Sequence, residues 1–202
     1  YQEFVYDNYL RDIPAPNKPS TRNVQEDYKR IRSVSIPVAY DYIERATGGM
    51  YGSKLYTYDL STKKFASNNY DMISNYGEQK HLNKFPVASN KSMYKYYGNF
   101  MGQADSTNTG SIQNRISLMG QINSNKIEIV VPGRMDYTVG LRIDVKMYKK
   151  EPNSKDDTNY IDEMFSGSYI ISAINHYINR NRHECTMEIV KESLLIDLDR
   201  KK

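Results

Sequence analysis

Tryptophan is absent, cysteine occurs once, and long apolar runs are missing. The single Cys185 excludes an internal disulfide framework and leaves too few ligands for a thiolate metal site. In "HECTMEIV" it reads as a small buried hydrophobe. No stretch approaches the roughly 18 consecutive apolar residues of a membrane-spanning helix, so no membrane partner is expected. Charge of one sign is also scarce, with 28 Lys and Arg against 24 Asp and Glu. The basic excess lies between Lys29 and Lys64, where a solvated face explains it at least as well as an acidic partner.

What is present is tyrosine, 19 of 202 residues, beside 5 phenylalanines. Tyrosine suits half-buried strands and subunit interfaces, because its ring packs while its hydroxyl stays wet or bonded. With 39% hydrophobic and 26% charged residues the composition is that of a globular chain, long enough for one or two domains. Its start, "YQEFVYDNYL", reads as a cut from a longer protein.

Three prolines within "RDIPAPNKPST" mark residues 1–24 as an extended arm or linker. Residues 25–110 read as an irregular α/β interaction region with a short helix and a strand pair. In "KLYTYDL" the period-2 alternation gathers Tyr56 and Tyr58 on one face, away from Leu55 and Thr57. From Asn68 to Gly110 the pattern dissolves into Asn, Ser, Gly and Tyr, with a candidate strand in "SMYKYYGNFM".

Residues 111–193 are clearer. "SIQNRISLMGQI" predicts a helix capped by Ser111, with Ile112, Ile116, Met119 and Ile122 as its apolar stripe. Ile127, Ile129 and Val131 then point one way before Pro132 and Gly133 end the strand. Leu141, Ile143, Val145 and Met147 alternate with Arg142, Asp144, Lys146 and Tyr148, the sharpest strand signal in the chain. After the polar loop "KKEPNSKDDTNYIDE" come "SGSYIISAINHYI" and "HECTMEIV". In the latter, Cys185, Met187 and Ile189 face in, and Glu184, Thr186, Glu188 and Val190 face out. Four antiparallel strands fed by one helix imply a small antiparallel β-barrel domain, leaving 194–202 as a charged tail. The expected class is α+β, mainly β. Pro132, Gly133 and Gly140 form its structural turn, at least one glycine being expected at positive φ.

The chemistry is sparse, and no catalytic, cofactor-binding or metal-binding residue is expected. His176 and His183 can meet across a hairpin, yet no third ligand is evident, and Met187 stands where an HExxH motif needs histidine. Asp156-Asp157 and Asp162-Glu163 fall in a polar loop, a poor place to separate two carboxylate pKa values. "TGGMYGSK" lacks phosphate-loop spacing. A nucleic-acid-binding barrel is the alternative, with the tyrosines of "MYKYYGNF" stacking on bases and Lys91 or Lys95 on phosphate. No concentrated basic stripe supports it.

The segments "IPVAYDYIERATGGMYGSKLYTYDLSTKKF", "NRISLMGQINSNKIEIVVPGRMDYTVGLRIDV" and "SGSYIISAINHYINRNRHECTMEIVKES", in that order, resemble the C-terminal half of phage baseplate central hub proteins of the T-even type. The resemblance runs from about Ile36 to Ser193 and rests on order and spacing. It implies a virion structural protein of the tail baseplate, made in the host cytoplasm and without catalytic residues. It further implies a homotrimeric ring of barrels that meets tail-tube or baseplate proteins and caps a spike protein. Tyr56, Tyr58, Tyr94, Tyr96 and Tyr97 are the candidate interface residues.

Overall fold

The computed structural model describes residues 2–6, 29–39, 42–87, 97–102, 109–148 and 161–198. Along the chain run β1 (Gln2–Tyr6), β2 (Ser33–Ala39), α1 (Tyr42–Thr47), β3 (Gly52–Asp59), β4 (Lys64–Asp71) and α2 (Met72–Tyr76). There follow β5 (Phe85–Pro86), β6 (Tyr97–Gly102), α3 (Thr109–Asn123), β7 (Asn125–Pro132), β8 (Arg142–Met147), β9 (Gly167–Ile178), β10 (His183–Val190) and β11 (Ser193–Leu194). The fold is α+β, mainly β. Two compact units divide the chain: residues 1–37, 126–190 and 194–196, and residues 38–125, 191–193 and 197–202.

In the first unit six strands form one curled sheet in the order β1-β8-β9-β10-β7-β2. β7, β8 and β10 bury one face, as their alternation predicts, while β9 is most buried in its first half. Ile127, Ile129, Val131, Ile143, Val145, Cys185, Met187 and Ile189 share a core with Phe4, Tyr169 and Ile171, and Leu141 packs against it. Arg142, Asp144, Glu184 and Glu188 lie on the other face, half-buried rather than fully wet. Val190 departs from expectation. The register between β9 and β10 shifts between Glu188 and Ile189, so Ile189 and Val190 are both buried.

Of the expected arm at 1–24, residues 2–6 form a sheet strand instead, and residues 7–24 lie outside the described residues. β1 runs parallel to β8 and sends Phe4 into the core. Residues 29–32 then stitch the sheet toward a barrel. The Val5 amide donates to the Lys29 carbonyl at 2.9 Å, Ile31 donates to Val5 at 2.9 Å, and Arg32 donates to Val130 at 2.7 Å. The expected all-antiparallel barrel is therefore a mixed sheet, with a parallel strand that the sequence reading did not assign.

The second unit holds the three-stranded sheet β4-β3-β6, in which β3 pairs antiparallel with β4 and parallel with β6. The stretch from Asn68 carries more structure than its composition announces. β4 continues to Asp71, whose carboxylate accepts from the Ile73 amide at 2.9 Å and the Ser74 amide at 3.3 Å to start α2.

α3 corrects two expectations. It packs on β3 and β4 rather than joining the barrel, and it turns its polar side inward. Gln113, Ser117, Gln121 and Ser124 are buried, while Ile112 is 38% and Met119 50% exposed. Hydrogen bonds make this burial tolerable. Gln113 Nε2 donates to the Ser53 and Asn68 carbonyls, each at 3.1 Å. Ser117 Oγ donates to the Met50 carbonyl at 2.6 Å. The helix begins at Thr109, so Ser111 lies inside it rather than at its cap.

Candidate assembly surfaces

The antiparallel register of β3 and β4 sets Tyr56 opposite Ser67 and Tyr58 opposite Phe65. Their alternation sends Leu55 and Thr57 inward, which leaves an aromatic outer face. Tyr56 stacks on Phe65 with centroids 5.8 Å apart and planes at 23°. Lys54 Nζ stands 5.1 Å from the Tyr56 ring centre. Toward the hairpin tip Tyr58 is 43%, Leu60 63% and Phe65 65% exposed. Asp59 fixes that tip. Its carboxylate accepts from the Ser61 amide at 2.9 Å and hydroxyl at 2.7 Å, and from the Thr62 amide at 3.3 Å and hydroxyl at 2.5 Å. These bonds hold the Asp59 carboxyl well below the usual carboxylate range. Of the other candidate tyrosines, Tyr97 opens β6 opposite Gly52, and Tyr94 and Tyr96 lie outside the described residues.

A second outward surface lies at the turn between β7 and β8. Pro132 ends β7 opposite Glu184. Gly140 adopts φ +87° and donates its amide to the Ile171 carbonyl at 2.9 Å. Gly133 is not left-handed; it is required by space. A Cβ there would come within 2.2 Å of the His183 ring, and the Gly133 amide donates to the His183 carbonyl at 2.8 Å. Between the glycines, buried Tyr137 meets Phe4 with ring centres 5.8 Å apart. Gln2 Nε2 donates to Asp136 Oδ2 at 3.2 Å, and Arg134 Nε donates to Asp136 Oδ1 at 2.9 Å. These contacts fix the loop, and Met135 and Val139 point away from the core into solvent.

Several described titratable groups hold turns and join segments. Asp156 and Asp157 lie outside the described residues, as do Lys91 and Lys95 of the nucleic-acid alternative. Asp162 holds a turn, its carboxylate accepting from the Met164 amide at 2.9 Å and the Phe165 amide at 3.3 Å. In the second unit His81 stacks on Tyr76 at 3.7 Å, with its Nδ1 3.6 Å from Glu192 Oε1. Glu192 also accepts from the Leu82 amide at 2.5 Å, and Ser193 Oγ accepts from the Asn83 amide at 2.7 Å. This network ties residues 81–83 to 192–193; burial and the nearby Glu192 charge push the Tyr76 phenol up. His176 and His183 do meet across the β9–β10 hairpin, and they meet at Cys185. Cys185 reads from the sequence as a small buried hydrophobe, and it is buried, but its Sγ faces both rings. The signal was present, because His183 and Cys185 stand two apart on one strand face and the hairpin register sets Cys185 opposite His176.

No protein-family profile and no curated protein matches the sequence. Among solved structures, the chain aligns with a tail protein from Neisseria meningitidis MC58 at 10% identity and a TM-score of 0.48, over 86% of this chain and 42% of that one. It aligns with the 43 kDa tail protein of prophage MuSo2 from Shewanella oneidensis at 10% identity and a TM-score of 0.45, over 80% and 41% respectively. The chain thus spans less than half the length of either protein.

Proposed function

We propose that this chain is a structural component of a phage-type tail hub, whose copies associate into a threefold ring between the tail tube and the central spike. The reading rests on the segment order that resembles the baseplate hub proteins. The observation that carries it is the outward aromatic face of β3 and β4, where Tyr58 and Phe65 sit directly opposite each other in solvent. Exposed apolar groups gathered on a rigid hairpin mark a protein interface more often than a reactive cleft. The outward Ile112 and Met119 of α3, and Met135 and Val139 of the turn loop, add further apolar surface of the same kind. Light scattering of the intact hub protein with its spike partner tests the proposal. A mass of three copies is expected. A protein that stays monomeric at high concentration with the spike present overturns it. A salt-dependent affinity for single-stranded DNA would instead favour a nucleic-acid-binding module.

A further inference from the structure

We infer that His176, His183 and Cys185 form a binding site for one zinc-like divalent ion, with a fourth position open to water or to an outside ligand. The three donor atoms converge from one sheet face. His176 Nδ1 lies 3.1 Å from His183 Nε2 and 3.0 Å from Cys185 Sγ, and Sγ lies 3.9 Å from His183 Nε2. Tetrahedral zinc, with bonds of about 2.05 Å to nitrogen and about 2.3 Å to sulfur, separates two nitrogens by about 3.3 Å and a nitrogen from sulfur by about 3.6 Å. The observed separations straddle those values, so tenths of an ångström of side-chain movement place an ion at equal reach of all three.

His176 Nδ1 has two close polar neighbours, which its single proton or lone pair could serve only as a shared, bifurcated bond. A cation uses all three lone pairs at once. The backbone supplies the rigidity such a site needs. Cys185 and His176 are direct cross-strand partners, and His183 lies two residues before Cys185 on the same face. Gly133 lets the His183 ring lie against the β7 turn, where any Cβ would push the ring away from the cluster. Access is also provided, since Cys185 is buried while His176 is exposed, giving an ion a route from solvent. Two imidazoles and one thiolate are a donor set that suits zinc, and three protein ligands leave its fourth position free.

Cobalt(II), which takes zinc sites and colours when bound by thiolate, provides the test. The intact chain is titrated with Co²⁺ under a phosphine reductant and followed by absorbance. The expected result is a thiolate-to-cobalt charge-transfer band that saturates at one ion per chain and is bleached by Zn²⁺. Cys185→Ser should abolish the band. Because that substitution touches the core, His176→Asn is the second variant: the residue is exposed, and circular dichroism checks that the fold is kept. It should weaken Co²⁺ by more than about 100-fold, the upper end for loss of a mere orienting partner of a metal ligand. A folded chain that shows no charge-transfer band overturns the site. So does a band that His176→Asn leaves unchanged.

Discussion

Gly140 adopts the positive φ expected of at least one of the two turn glycines, and Gly133 is required for a different reason. Gly133 is instead held by the His183 ring across the strand pair, a contact made 50 positions later that local sequence does not record. Gly133→Ala should therefore cost about 1–3 kcal/mol in urea unfolding, the range for a side chain forced into filled space. It should also turn His183 away from Cys185 and weaken the cobalt band. A variant of unchanged stability would mean that the ring relaxes freely. Ile143, by contrast, was legible from alternation alone, and it lies fully buried. Ile143→Ala should lose about 2–5 kcal/mol by the same measurement.

At the scale of elements, the strands that bury one face were readable, and so was the existence of the helix, but not which of its faces turns inward. β7, β8 and β10 write their burial into a period of two, because water lies on one side and the core on the other. α3 carries an equally regular apolar stripe, Ile112, Ile116, Met119 and Ile122, but tertiary hydrogen bonds override it. Gln113 and Ser117 hydrogen-bond to backbone carbonyls beneath the helix, while Ile112 and Met119 are left outside and Ile116 and Ile122 are half-buried. Two substitutions separate the faces. Ser117→Ala leaves the Met50 carbonyl without that donor and should cost about 1–3 kcal/mol. Met119→Gln should change stability by less than about 0.5 kcal/mol. If the two costs were reversed in denaturant titrations, the orientation of the helix would be wrong. β1 escaped notice because "QEFVY" is short and its partner is distant. The hairpin tip adds a pH dependence. Asp59 has a folded pKa below its unfolded value of about 3.9, so its contribution is complete well above that value and is lost as pH falls toward the folded one. The amide signals of Ser61 and Thr62 should report a midpoint well below 3.9. A midpoint at the ordinary aspartate value would contradict these bonds.

For the whole molecule, the proposed ring assigns the joining of copies to the aromatic face of β3 and β4. Tyr58→Asp with Phe65→Asp places two charges on the aromatic face while leaving buried Leu55 and Thr57 in place. The double variant should lower the mass seen in sedimentation from three copies to one, with the circular dichroism spectrum retained. A full trimer would assign the interface to another surface, such as Met135 and Val139.

The pairing of β1 with β8 also sets an order of events during synthesis. Gln2 meets Ile143, about 140 positions later, whereas most of the second unit lies in the unbroken stretch 38–125. At roughly 5–20 residues per second the ribosome leaves Phe4 and its strand without their partner for roughly 7–28 s, long enough for the intervening unit to fold. The β1 residues, made well before β8, are thus among the last of the described residues to be protected. Pulsed hydrogen exchange on refolding chains should find the β1 amides closing after those of β3 and β4. A chaperone that grips the nascent β1 segment would act in that interval, when an apolar strand has emerged and the sheet that will receive it does not yet exist.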